Sequence, residues 1–325
     1  MRKPVVFCTE NEYIVSPKVE AYLREHVEFI RAEKKLTPEE LRERIGDADG
    51  LISMGYPIDD RLLDRAPKLR VVSTTSAGFD PFNLEDMKKH NVIGLHTPAV
   101  LNDSVADMIL LLMLAVARRA VEMDKLVRDG KWPVTPFYEF FGSEVSGKRV
   151  GIIGMGNIGE GVAKRCKNGF DMDVVYYNRH RKLSTEEKLG VEYVTMDELL
   201  ATSDFVVIMV PLDDTTRHMM DAGKFAKMKK SAFFINASRG PVVDEPALIA
   251  ALRDGTIAGA GLDVFDVEPI GADNELCTFP NTVLLPHVAS ATRECREAMG
   301  QLAAKGIVEF FEGKEPANTI KFFKK

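Results

Sequence analysis

The sequence predicts an α/β fold of two domains with parallel sheets, one domain inserted within the other. Three observations predict it. Short β-branched runs alternate with helical patterns along most of the chain, the signature of βαβ units and parallel sheets. A length of 325 residues exceeds what one hydrophobic core usually supports. The last helical pattern, over residues 293–311, has few apolar sequence neighbours, so it is expected to return to the first domain.

The first series reads as a strand at Val5–Cys8, helices at 19–27 and 37–45, and strands at 51–54 and 69–74. Thr37-Pro38-Glu39-Glu40 is a strong helix start: a Thr cap, Pro at the first helical position and Glu three residues after the cap. One long helix is expected over 104–128, ended by Asp129-Gly130 and apolar enough at 108–117 to be buried between domains. A second series follows, with strands at 150–153, 174–177, 205–210, 232–236, 260–264 and 283–285. This is the pattern of a complete doubly wound nucleotide domain. The predicted architecture is two Rossmann-like domains: a dinucleotide-binding domain over 101–292, inserted in a substrate domain built from 1–100 and 293–325.

The composition, 45% hydrophobic and 28% charged, is that of a folded soluble protein. A formal net charge of -6 argues against a nucleic-acid partner, which would demand an excess of Lys and Arg. Cys8, Cys166, Cys277 and Cys295 are scattered, without zinc-type spacing, so neither a disulfide framework nor a metal is expected. That usage fits a cytoplasmic protein. Val5–Cys8 is too short for a signal-peptide core, and 108–117 falls short of the ~20 apolar residues of a membrane span.

Gly154-Met155-Gly156-Asn157-Ile158-Gly159 fits G-x-G-x-x-G, directly after an apolar strand and at the opening of a helix. The first Gly allows the tight turn, the second admits a pyrophosphate to the backbone, and the third lets helix and strand pack closely. A glycine-rich turn in an unrelated α/β protein is the alternative, and the flanking strand and helix weigh against it. Where an acidic residue would grip the adenosine ribose of NAD, the chain has Asn178-Arg179-His180-Arg181-Lys182. A ribose 2′-phosphate suits that basic edge, so NADP(H) is expected in preference to NAD(H), with Asn178 and Arg179 as its contacts.

Three later segments each set an ionisable residue just past an apolar strand, where open α/β sheets bind ligands. They are Asn236-Ala237-Ser238-Arg239-Gly240, Gly261 to Pro269 with Asp263 and Glu268, and Pro286-His287-Val288-Ala289. Arg offers a two-pronged donor for a carboxylate, His a proton near neutral pH, and Glu a partner that favours the protonated ring. Each has a plainer reading alone. Arg239 can cap a turn, Glu268 can be a solvated loop residue, His287 a packed histidine, and Asp263 can close a turn instead of binding a nicotinamide amide.

At these residues the chain resembles the D-isomer-specific 2-hydroxyacid dehydrogenases, from first strand to last helix. The resemblance implies NAD(P)-dependent reduction of 2-keto acids, with Arg239 as the substrate arginine, His287 as the acid/base and Glu268 as its carboxylate partner. It assigns the backbone of Ala77 and Gly78, in Ser76-Ala77-Gly78-Phe79-Asp80, to the substrate carboxylate. It sets Val105, Val210, Pro211, Thr216, Ala237, Ser238, Asp263 and Ala289 against the cofactor, beside Gly154, Gly156, Asn157, Ile158 and Gly159. Formate dehydrogenases carry Gln in place of Glu268, and phosphite dehydrogenases Lys in place of Ala77. Glyoxylate/hydroxypyruvate reductases match best, with 2-ketogluconate reductases next, while residues 132–142, which shape the pocket in the reductases, align poorly. The family also implies a homodimer through the nucleotide domain. A different class of function stays open: corepressors of this family keep the fold and sense nicotinamide cofactor without turnover.

Overall fold

The computed structural model describes residues 2–133 and 138–324; four residues of the pocket-shaping segment 132–142 thus lie outside it. The chain forms two compact units, Met1–Leu101 with Ser290–Lys325, and Asn102–Ala289.

The first unit begins with β1 (Val5–Cys8), α1 (Pro17–His26), β2 (Glu28–Arg31), α2 (Pro38–Arg44), β3 (Gly50–Ser53) and α3 (Asp60–Leu63). It continues through β4 (Val71–Thr74), α4 (Leu84–Lys89) and β5 (Ile93–Leu95). The second unit holds α5 (Asn102–Ala117), α6 (Ala120–Arg128), β6 (Arg149–Ile153), α7 (Asn157–Phe170), β7 (Asp173–Tyr177), α8 (Leu183–Leu189) and β8 (Glu192–Tyr193). After these come α9 (Met196–Thr202), β9 (Phe205–Ile208), α10 (Ala222–Phe225), β10 (Phe233–Asn236), α11 (Glu245–Arg253), β11 (Gly259–Leu262) and β12 (Thr282–Leu284). The chain then returns to the first unit with α12 (Arg293–Phe311).

Both sheets are parallel, in the orders β2-β1-β3-β4-β5 and β12-β11-β10-β9-β6-β7-β8. Each reverses strand order once, beside β1 or β6, and the carboxyl ends flanking such a switch point form a ligand crevice. The strands are apolar on both faces because helices cover both, as in all-parallel sheets. In the first unit one face packs Leu51, Val72 and Ile58 under α2 to α4, and the other packs Val6, Ile52 and Val71 against α1 and α12.

Thr37 caps α2 and its capping box closes with Glu40, as the sequence indicates. The expected single helix over 104–128 is two. The chain breaks at Arg119, whose backbone is left-handed at φ 54° and whose guanidinium forks onto Glu122 at 2.6 and 2.8 Å. Apolar α5 is buried against α7, β10 and β11 of the second unit, whereas α6 buries no residue. Strands β2, β5 and β8 had no sequence signal of their own. β2 is an edge strand with Phe29 as its one buried side chain, β5 has three residues and β8 two.

Among the described residues no helix is long and apolar enough to cross a membrane, and no cluster of His, Cys, Asp and Glu is arranged to hold a metal.

Candidate active site

The loop from β6 to α7 wraps a turn that only glycine permits. Gly154 is left-handed at φ 103°, and a Cβ there would lie 2.6 Å from the Met209 carbonyl oxygen. At Gly159 a Cβ would meet the Gly154 oxygen at 2.5 Å, so the first turn of α7 packs directly on the loop. Gly156 faces open space and is exposed, as are Asn157 and, in part, Ile158 behind it. A bare backbone at the N-terminus of a 14-residue helix is the cradle a pyrophosphate requires, and these residues fit a dinucleotide.

A cavity of about 410 Å³ opens beside this loop, lined by Gly154, Gly156, Asn178, Arg179, Val210, Pro211 and Thr216 together with His180, Met209 and Met219. Thr216 is buried and holds the loop after β9 in shape: its hydroxyl donates to the Pro211 carbonyl at 2.7 Å and accepts the Asp213 N–H at 2.8 Å.

The basic run after β7 is used otherwise than its composition indicates. Asn178, expected to donate to a 2′-phosphate, turns its amide to the glycine loop: Oδ1 accepts the Met155 N–H at 2.7 Å and Nδ2 donates to the Met155 carbonyl at 3.4 Å. Arg181 forks onto Glu186 at 2.7 and 2.8 Å, and Lys182 binds Glu160 at 2.6 Å and the Met155 carbonyl at 3.0 Å. Arg179 alone of the cations lines the cavity with its charge largely unengaged, 66% exposed and 4.0 Å from Asp213. Glu160 and Lys182, which brace Met155 with Thr185, have no motif; Thr185 donates to Glu160 at 2.8 Å.

Past β10, β11 and β12 the structure brings Arg239, Glu268 and His287 together. Asn236 at the end of β10 shapes the first loop. Its Oδ1 accepts from the Ser238 N–H and hydroxyl at 3.0 and 2.9 Å, and its Nδ2 donates to the Arg239 carbonyl at 2.9 Å. Ala237 and Ser238 are buried, and the Arg239 guanidinium donates to the Ser238 carbonyl at 2.7 Å. Gly240 is obligatory, because any Cβ there would be driven into the Phe265 carbonyl of the loop after β11. That close approach carries Arg239 toward Glu268.

Glu268 reaches back to its own loop, accepting the Phe265 N–H at 3.0 Å, and its other oxygen meets His287 Nδ1 at 2.7 Å. Burial raises the Glu268 carboxyl, but the bond to His287, the Phe265 N–H and the charges of His287 and Arg239 outweigh it and hold the group below its usual range. His287 itself sits in the left-handed region at φ 54°. Asp263 fixes that turn: fully buried, it accepts the Val288 and Ala289 N–H groups, each at 2.8 Å. This is the turn-closing role its position allowed. Burial lifts its carboxyl above the usual range, against those two hydrogen bonds and the charge of His287.

Val105 is buried on the first turns of α5, a helix packed along α7. In the first unit, Ala77 and Gly78 are half-buried in the loop after β4. His96 Nδ1 donates to the Ala77 carbonyl at 2.8 Å, and Thr97 N–H to the Ser76 carbonyl at 2.8 Å. Burial, opposed by the bond to Ala77, holds His96 below its usual range.

Residues 110–289 match the family model described as D-isomer specific 2-hydroxyacid dehydrogenase, NAD binding domain. The chain belongs to this family. The second unit is thus the NAD-binding domain of a 2-hydroxyacid dehydrogenase, and the chain is an NAD(P)-dependent oxidoreductase. A glyoxylate/hydroxypyruvate reductase B of Serratia proteamaculans is 43% identical over 94% of this chain and 96% of its own length. A probable 2-ketogluconate reductase of Dictyostelium discoideum is 45% identical over 87% of this chain and 84% of its own. An NADPH-dependent glyoxylate/hydroxypyruvate reductase of Sinorhizobium meliloti, solved with NADP and malonate, superposes with a TM-score of 0.84 at 29% identity, covering 98% of this chain and 97% of that one.

Proposed function

We propose that this dehydrogenase reduces small 2-keto acids, glyoxylate and hydroxypyruvate foremost, to D-2-hydroxy acids in the cytoplasm, with NADPH preferred over NADH. The observation that carries this is the 2.7 Å pair of Glu268 and His287 with the Arg239 charge beside it.

A carboxylate can only accept, so Nδ1 of His287 carries the proton of that bond and Nε2 is left to exchange one with the substrate. A reduced nicotinamide, when bound, supplies the hydride. Arg239 orients the keto acid and draws electron density toward the carbonyl oxygen, and His287 Nε2 delivers the proton to that oxygen. Glu268 stabilises the charged ring before the proton leaves and holds its orientation. The N–H groups of Ala77 and Gly78 grip the substrate carboxylate, a duty in which side chains count for little.

Arg179 supports the cofactor preference, since an exposed guanidinium at the cavity rim pairs with a 2′-phosphate. Buried thiols at Cys8 and Cys166 suit a reducing compartment. A homodimer is supported by the apolar groove of about 1100 Å³ between α5 and α7, lined by Leu110, Leu111 and Leu114, with Leu111 49% exposed. Sedimentation of the Leu111→Glu variant as a monomer would accord with it, and an unchanged dimer would remove this face from the interface.

NADPH oxidation against a panel of 2-keto acids, with chiral analysis of the glycerate formed, tests the function. Absence of turnover on every acid, with cofactor still bound, would leave a cofactor-sensing scaffold instead. The name of the Dictyostelium relative favours a second reading, 2-ketogluconate reduction, so that acid belongs in the panel.

A further inference from the structure

Glu268 reaches His287 from a stretch of chain with little structure of its own. Between the buried Phe265 and the buried Leu276 the backbone forms neither helix nor strand until Glu275. Residues 266–273 are exposed apart from Ile270, which rests against the core. Bonds inside the stretch, from the Phe265 N–H to Glu268 and from the Asn274 N–H to the Gly271 carbonyl, shape its turns without anchoring it to the domain.

The anchor comes from α11. Glu245 is the first residue of that helix, and Asp244 already caps it by accepting the Ala247 N–H at 3.3 Å. The Glu245 carboxylate turns instead to the stretch: one oxygen accepts the Asp266 N–H at 3.0 Å and the other the Asn274 side-chain amide at 2.9 Å. Asn274 passes the restraint on, its Oδ1 accepting the Leu276 N–H at 2.9 Å. The helix is a firm base, since its Leu248, Ala251 and Leu252 are buried in the core. One carboxylate on a packed helix thus fastens both ends of the span that carries Glu268. At Asp266 it does so beside Gly240, whose close approach to the Phe265 carbonyl brings the Arg239 loop to the same point.

We infer that Glu245 is a positioning residue: by clamping Asp266 and Asn274 it sets the reach of Glu268 to Nδ1 of His287. It acts through Glu268. The inference rests on the function proposed above, in which His287 delivers the proton. Asp263, the other acid whose charge acts with that of His287, is bound to Val288 and Ala289 and lies outside the clamped span, while the Arg239 charge acts on Glu268 itself.

Glu245→Gln and Glu245→Ala test this with two readouts. A Gln amide keeps one acceptor oxygen where the carboxylate has two, so it releases one end of the clamp and Ala releases both. The first readout is titration of the His287 ring in the free enzyme, followed by NMR and assigned with His287→Ala. Its midpoint is expected to fall in Glu245→Ala toward that of Glu268→Gln, and by less in Glu245→Gln, which carries the test should the Ala variant not fold. The second is kcat on glyoxylate, which Glu245→Ala is expected to lower by about 10- to 100-fold with KM for NADPH within about two-fold, the scale of loss that a small misplacement brings. In a Glu268→Gln background the same substitution should cost no more than about two-fold, because the carboxylate it positions is gone. A merely structural Glu245 would lower the melting temperature and move neither readout. An unmoved ring titration, or equal losses in the two backgrounds, would overturn the inference while leaving the function standing. A parent that turns over no 2-keto acid would overturn the function, and the ring titration, which needs no substrate, would still decide whether Glu245 positions Glu268.

Discussion

His287 Nδ1 lies 2.7 Å from one oxygen of Glu268, and the other oxygen accepts the Phe265 N–H at 3.0 Å. The histidine is thus fixed by a carboxylate that is itself fixed by backbone. Because the Glu268 carboxyl is depressed, its contribution to stability is present above the ordinary value of 4.5 and is lost as pH falls through the lower folded value. Glu268 is therefore a carboxylate at neutral pH, able to accept from His287 Nδ1.

Glu268→Gln keeps the shape and removes the negative charge beside the ring. The protonated ring is then less favoured, and the alkaline limb of kcat for keto-acid reduction moves to lower pH. A pH–rate profile superimposable on that of the parent would break the proposed coupling.

His287→Ala removes the proton donor and leaves the glycine loop untouched. Turnover is expected to fall by about 10² or more, with NADPH still binding in a fluorescence titration. Near-parental turnover on glyoxylate and hydroxypyruvate would take His287 out of the chemistry.

Arg239→Lys retains a charge but not the two-pronged geometry. KM for keto acids should rise and the hydride step should slow, the latter visible as a larger kinetic isotope effect with deuterated cofactor. Kinetics equal to the parent's would exclude Arg239 from substrate contact.

Arg179→Ala should erase the preference for NADPH by raising its KM at least about ten-fold with little change for NADH. Asn178→Asp should harm both cofactors, since it sets a carboxylate oxygen against the Met155 carbonyl that Nδ2 now meets. Steady-state kinetics with each cofactor decides, and an Arg179→Ala enzyme that still favours NADPH would refute the assignment.

Gly240→Ala forces a methyl into the Phe265 carbonyl and separates the Arg239 and Glu268 loops. Overpacking of this kind costs about 1–3 kcal/mol. The melting temperature should drop by several degrees and turnover should fall with it; a variant that melts and turns over like the parent would contradict the geometry.

Hydrophobic periodicity and glycine spacing by themselves determined the buried strands of both sheets other than β2, β5 and β8, the helix over Arg293–Phe311 and the dinucleotide loop, because burial and turn geometry are local demands on residue type. The same logic located Arg239, Glu268 and His287, since parallel strands present their carboxyl ends along one edge. What only the tertiary structure decided is where polar side chains find their partners. Asn178 turns to Met155, Arg181 to Glu186 and Lys182 to Glu160, which leaves Arg179 at the cavity, and nothing in a run of basic residues distinguishes these fates. Gly240 belongs to the same class, required by a carbonyl 25 residues away in sequence. Hydrogen bonds and steric contacts of this range depend on which loops the fold brings together, and residue order alone carries no measure of that proximity.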